Sequence, residues 1–156
     1  MPVTPNSIVT PQGVNAWTLG TIVSTAMTGS KAYDGTESTG TAMALVCTAG
    51  ANGSRVEKLI VRIGSTAGGT PSGTTTATLL RVWLNNGSAN TTATNNSLIA
   101  ELAIAAFAVS STAVSPSYEI PLNITIPASY KVYAGTTAAI GATAAAVAIT
   151  PVIYDL

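Results

Sequence analysis

Between Tyr118 and Ile126 the chain alternates without a break: Tyr118, Ile120, Leu122, Ile124 and Ile126 are apolar, and Glu119, Pro121, Asn123 and Thr125 separate them. A period of two sends the two sets to opposite faces of an extended strand, whereas a helix would scatter the apolar set around its axis. This stretch is therefore predicted to be a half-buried strand. Pro121 has no amide to donate, which places that strand at a sheet edge. The same period recurs upstream. From Arg55 to Ile63, Leu59, Val61 and Ile63 face one way and Lys58, Ile60 and Arg62 the other. From Thr76 to Leu84, Leu80, Val82 and Leu84 oppose Arg81 and Trp83.

Shorter runs complete the pattern. Val14 to Ser24 is read as a first strand and Ala42 to Ala49 as a second, with Met43, Leu45 and Cys47 on one face. Lys31, Asp34 and Glu37 fall in a polar loop between them. Leu98 to Ile104 sets Leu98, Leu102 and Ile104 on one face with Glu101 outward, and Tyr130 to Ala134 and Ala144 to Tyr154 close the series. Asn85-Asn86-Gly87, Pro127 to Ser129 and Gly141 supply turn chemistry between runs. The alanines of Thr137 to Thr150 have high helix propensity, but Gly141, the interspersed threonines and Pro151 favour a strand of small residues packed close to a neighbour. Pro151 makes its run an edge, a bulged strand or the end of one. These features predict one all-β domain over residues 14–156, an antiparallel β-sandwich or jelly roll of about eight strands.

Only 8% of the 156 residues are charged, against roughly 25% in an average soluble domain. Thr, Ser, Asn, Gly and Ala take their place, giving neutral surfaces that cost little to desolvate against another protein. Six basic and six acidic residues cancel, so no long-range field draws the chain to nucleic acid or to an anionic membrane. No basic region precedes an apolar core in Met1 to Gly13, so no cleaved signal is expected. The uncharged stretch from Val132 to Tyr154 is broken by Gly135, Gly141, several threonines and Pro151, which argues against a membrane span. The single cysteine, Cys47, has no intrachain partner, and it is read as a buried, inert thiol.

The inventory of reactive groups is equally restrictive. Histidine is absent, which removes the usual general base and the commonest metal ligand. No Ser-x-x-Lys spacing offers a serine nucleophile its base. Asp34 with Glu37, or Glu101 with Glu119, are the pairs that could flank a glycosidic bond. Tyr33 to Glu37 lacks the Asp/Asn ladder of a calcium loop and is read as a solvated loop. Gly64 to Gly73 lacks the lysine of a phosphate-binding loop. No catalytic residue, cofactor or metal is expected from this set.

Binding is the remaining possibility, and two regions are candidates for it. Pro2, Val3, Pro5, Ile8, Val9 and Pro11 lie in an extended N-terminal arm, Met1 to Gly13, whose prolines restrict the backbone while Ile8 and Val9 offer anchors; a frayed terminus is the alternative. Ile60, Arg81 and Trp83 lie on strand faces opposite the apolar core set and are candidate interface residues. Trp83 is read either as an exposed anchor or lectin platform, or as packing between sheets. Low charge and such apolar residues together predict a homotrimer.

Several segments resemble a known group. Gly53-Ser54-Arg55-Val56 leads into an apolar strand, Arg81-Val82-Trp83-Leu84 runs into Asn85-Asn86-Gly87, Asn95-Asn96-Ser97-Leu98 precedes Glu101, and Pro121-Leu122-Asn123-Ile124 precedes Pro127 and Tyr130. From Gly53 to Val132 the chain is similar in style to the small β-sandwich cement, or decoration, proteins on the heads of tailed bacteriophages. That resemblance implies a protein on the outer surface of the capsid that braces joints between major capsid protein subunits, commonly as a trimer, without catalysis. A tail, fibre-base or minor shell role is the close variant. From another class, a carbohydrate-binding or adhesin-like sandwich would use Trp83, Tyr33 and the polar loops, and a glycosidase would need two carboxylates in one cleft.

Overall fold

In the computed structural model, residues 21–23, 25–29, 31–37, 42–65 and 69–156 are described. The arm from Met1 to Gly13, with its six candidate residues, lies outside them, as does most of the first expected strand.

Eight strands form two four-stranded sheets. Sheet I carries β1 (Thr21–Val23), β10 (Ala145–Asp155), β3 (Ser54–Ser65) and β8 (Ser117–Ile126), hydrogen-bonded in that order. Sheet II carries β2 (Met43–Thr48), β9 (Lys131–Thr136), β5 (Thr78–Asn85) and β6 (Asn96–Ile104). Every pairing within them is antiparallel. A small ribbon of β4 (Gly73–Thr74) and β7 (Ala108–Val109) stands beside the sheets. With β4 and β7 set aside, the remaining strands lie in the order first, eighth, third, sixth in one sheet and second, seventh, fourth, fifth in the other. That is jelly-roll connectivity, two Greek keys wound into a sandwich. Every connection crosses between sheets except the β5–β6 hairpin.

The period-two strands close the core as their parity requires. Leu59, Val61 and Ile63 of β3, Leu80 and Val82 of β5, Val132 of β9, and Val147 and Ile149 of β10 are buried between the sheets. Removing a Leu, Ile or Val side chain of this kind from water contributes about 1.5 to 3 kcal/mol each. Ile120 and Ile126 of β8 join them, and Tyr118, Leu122 and Ile124 pack against the cluster from its rim. Glu119, Pro121, Asn123 and Thr125 are exposed on the other side. β8 is a sheet edge, where Pro121 costs no ladder bond to a further strand. β10 is instead an interior strand. Pro151 sits opposite Leu59, beyond the last described pair with β1, Thr21 with Ile149, and a register shift follows between Val152 and Ile153.

Three strands depart from simple alternation. On β3 Glu57 is extra between the pairs Val56 with Ile153 and Lys58 with Val152, so Val56 and Leu59 both face the core. On β2 a bulge between Leu45 and Cys47 reverses the parity, so Met43 and Leu45 face outward while Val46 and Cys47 turn to the core. On β6 the register shifts between Ala100 and Leu98, leaving Ile99 as the extra residue. Leu98 is consequently opposite Trp83 on the outer face, whereas Leu102 and Ile104 stay on the core side. The expected sharing of a face by Met43, Leu45 and Cys47, and by Leu98, Leu102 and Ile104, is corrected at both places for one reason. An inserted residue moves every side chain beyond it to the opposite face. No helix among the described residues is long and apolar enough to cross a membrane.

Candidate functional site

The feature that most shapes the surface is the connection from β1 to β2. Expected to be a polar loop, it lies with its described residues 25–29 and 31–37 on the outer face of sheet II as a strap. Met27 enters it with its amide donating to the Thr136 carbonyl at 2.8 Å. A helical turn, α1 (Lys31–Asp34), follows, closed by the Gly35 amide donating to the Lys31 carbonyl.

Four carbonyls of the strap accept hydrogen bonds from side chains of the β5–β6 hairpin. Arg81 Nη1 donates to Ala32, Trp83 Nε1 to Tyr33 at 3.4 Å, Asn96 Nδ2 to Gly35 at 2.9 Å, and Asn90 Nδ2 to Glu37. Such a short irregular segment cannot satisfy its own backbone, and the hairpin supplies the missing donors. Beneath it Met27, Ala32, Met43, Trp83 and Tyr133 form a second apolar cluster, separate from the core between the sheets.

Trp83 thus falls under neither expected reading. Its side chain does leave the sheet on the outer face, opposite the core set, but it is 0% exposed because the strap lies on it. Arg81 is buried too. Its Nε donates to Glu101 at 2.7 Å, and its guanidinium stacks 4.0 Å from the centroid of the Tyr33 ring. The hydrogen bond to Glu101 raises the Arg81 pKa further above its ordinary value. Arg81 and Trp83 are therefore corrected from surface candidates to supports of the strap. Ile60 stays on the outer face of sheet I, half-buried opposite Thr150 and Glu119. No local sequence signal joins Tyr33, Gly35, Asn90 and Asn96, since the contacts that unite them span some 50 to 60 residues.

Each carboxylate has its own partner. Asp34 accepts from the Thr36 amide and hydroxyl, Glu37 from those of Thr28, Asp155 from the Ser54 hydroxyl, Glu101 from Arg81 and Glu119 from Lys58. Glu57 is hydrogen-bonded to the Tyr154 hydroxyl. Neither Asp34 with Glu37 nor Glu101 with Glu119 shares a partner. The Thr28 bonds hold the Glu37 carboxyl below its ordinary pKa. Burial pushes the Cys47 thiol up to about 12, far from the thiolate that nucleophilic chemistry needs. Among the described residues no three His, Cys, Asp or Glu side chains are grouped to hold a metal ion.

The two outer faces differ in kind. That of sheet I carries Arg55, Lys58 and Arg62 of β3 with Glu119 of β8, and the Lys58 ammonium meets Glu119 at 2.8 Å. That of sheet II carries most of the exposed large apolar groups: Tyr33 at 70%, Leu98 at 40%, Leu45 at 39% and Leu79 at 38% exposure. Leu45, Tyr133, Trp83 and Leu98 form one cross-strand row through the paired registers of β2, β9, β5 and β6. The strap covers the middle of that row and leaves its two ends in water.

Comparison with protein-family models, with curated proteins and with solved structures found no match for this chain.

Proposed function

We propose that the chain is a structural virion protein, a cement or decoration protein that binds the outside of a phage head, bridges joints between major capsid subunits and self-associates as a homotrimer. The observation that carries this reading is the jelly-roll sandwich with one apolar outer face. Jelly rolls are a recurrent scaffold of viral shells, though lectins and cupins use them too. The low charge and the commitment of each carboxylate to a structural hydrogen bond favour a surface that works by contact over one that works by proton transfer. Neutral small-residue surfaces lose little side-chain entropy and shed little hydration when covered by protein. The test is co-sedimentation of the purified protein with heads stripped of it, followed by cryo-electron microscopy of the reconstituted particle. Saturable binding in regular outer-surface density is expected, and a well-folded protein that leaves the heads bare would refute the reading.

One observation favours a second reading, carbohydrate binding. Tyr33 is exposed with one ring face held by Arg81, a preorganised aromatic of the kind on which a sugar ring stacks. Loss of glycan-array binding on Tyr33→Ala would support it, and absence of glycan binding by the native chain would remove it.

A further inference from the structure

We infer that the outer face of sheet II is the surface through which copies of this chain associate, and that its occupant is a second copy of this chain. Four of the five exposed large apolar side chains among the described residues lie there: Tyr33, Leu45, Leu79 and Leu98. The fifth, Val114, is on the loop before β8, and among the side chains described none is on the outer face of sheet I. The distribution is one-sided, so it is not the scatter of single apolar residues that any surface shows.

The size of the patch points to a protein occupant. Taking about 200 Å² for a fully exposed tyrosine and somewhat less for leucine, the four side chains leave roughly 350 Å² in water. A standard interface covers about 800 Å² on each partner, of which roughly 450 Å² is apolar. These four groups would supply most of that apolar share.

Charge points to a copy of the chain itself. Arg81 and Glu101 neutralise each other on this face, and Asp34 and Glu37 are hydrogen-bonded within the strap. With a net charge of zero, two copies approach without long-range repulsion. The strap is also a rigid presenter. Tyr33 is fixed on Arg81, and Arg81 in turn on Glu101 and Ala32, so docking freezes little that is mobile in the free chain. Ile60, Arg81 and Trp83, the residues expected at the interface, give way to Leu45, Leu98, Leu79 and Tyr33.

The inference rests on the self-association contained in the proposed function, and mass measured without heads isolates it. The experiment is sedimentation velocity of the full chain at micromolar concentration, beside Leu45→Asp, Leu98→Asp and, off the face, Val114→Asp, each checked for folding by circular dichroism. The native mass is expected to be a small multiple of 15.6 kDa. Leu45→Asp and Leu98→Asp, on opposite edges of the sheet, should each weaken association at least 100-fold, and Val114→Asp should leave it unchanged. A monomeric native chain, folded face variants of undiminished mass, or dissociation caused by Val114→Asp would overturn the assignment. Should either face variant fail to fold, amide exchange of the native chain above and below its dissociation concentration decides. Protection confined to the β2 and β6 edges and the strap supports the interface, and protection elsewhere or nowhere refutes it. A monomer that still saturates heads would sink this interface and spare the virion role, whereas an oligomer that ignores heads would do the reverse.

Discussion

Gly35 lies against the ring of Trp83 so closely that a β-carbon on it would come within 2.9 Å of the indole Cγ and Cδ1. Its φ of +67° belongs to the left-handed region as well. Two independent constraints therefore require glycine where the strap turns across the indole. Gly35→Ala is expected to destabilise the fold by about 2 to 4 kcal/mol, the sum of an overpacked contact and backbone strain. Urea unfolding measures the loss, and indole emission in a Trp17→Phe background shows whether Trp83 has become wet. An unchanged midpoint with unshifted emission would mean that the strap does not depend on this contact.

Arg81 and Glu101 form one ion pair with unequal partners, since the Arg81 side chain is almost fully buried and that of Glu101 is nearly half exposed. Arg81→Met leaves the Ala32 carbonyl without its donor and Tyr33 without its platform, and should cost about 2 to 4 kcal/mol. Glu101→Gln keeps a hydrogen-bond acceptor in a solvent-screened position and should cost about 0.5 to 1 kcal/mol. A double-mutant cycle by chemical denaturation separates the pair from the strap contacts. Equal losses for the two single variants would contradict this asymmetry.

Glu37 makes the strap sensitive to acid. Its folded-state pKa is lowered, chiefly by the Thr28 hydroxyl and then by the Thr28 amide. The unfolded state therefore binds the proton more readily, and stability rises with pH through this window. The contribution is complete above the ordinary glutamate value of about 4.3 and is lost as pH falls through the lower folded value. Carboxyl NMR titration should place Glu37 below that ordinary value, and Thr28→Val should return it upward. A Glu37 that titrates normally in the native chain would show that the Thr28 bonds do not persist in solution.

Cys47 should report global unfolding. Burial raises its thiol to about 12, so the thiolate is scarce at pH 8, and β2 packs it against the core. Alkylation at pH 8 is expected to run at least 100-fold slower in the native chain than in denaturant, with a rate that follows the opening equilibrium. The sign at high pH is fixed as well. Between the unfolded value near 8.5 and the folded value the native state retains a proton that the unfolded state has lost, so stability falls as pH rises. Native-state labelling as fast as that of a free thiol would place Cys47 at the surface.

Residue by residue, the period-two patterns of β5, of β8 and of β3 from Lys58 onward assign their core and outer faces, and Pro121 marks β8 as an edge. These signals are local: alternation, a missing amide donor and turn chemistry at Asn85-Asn86-Gly87 act within a few residues. The eight expected strands follow from that information. Tertiary structure decided the rest. The bulges in β2 and β6 reverse parity at Cys47 and Leu98, and a bulge depends on the partner strand against which a residue is extra. The order of strands in each sheet depends on pairings between distant segments. Trp83 became a buried support because the strap, 50 residues away in the chain, crosses it and brings Gly35 onto its ring. Alternation along β5 sends Trp83 off the core face, but whether that outer side is water or protein is set by the path of another segment, which a two-residue period does not encode.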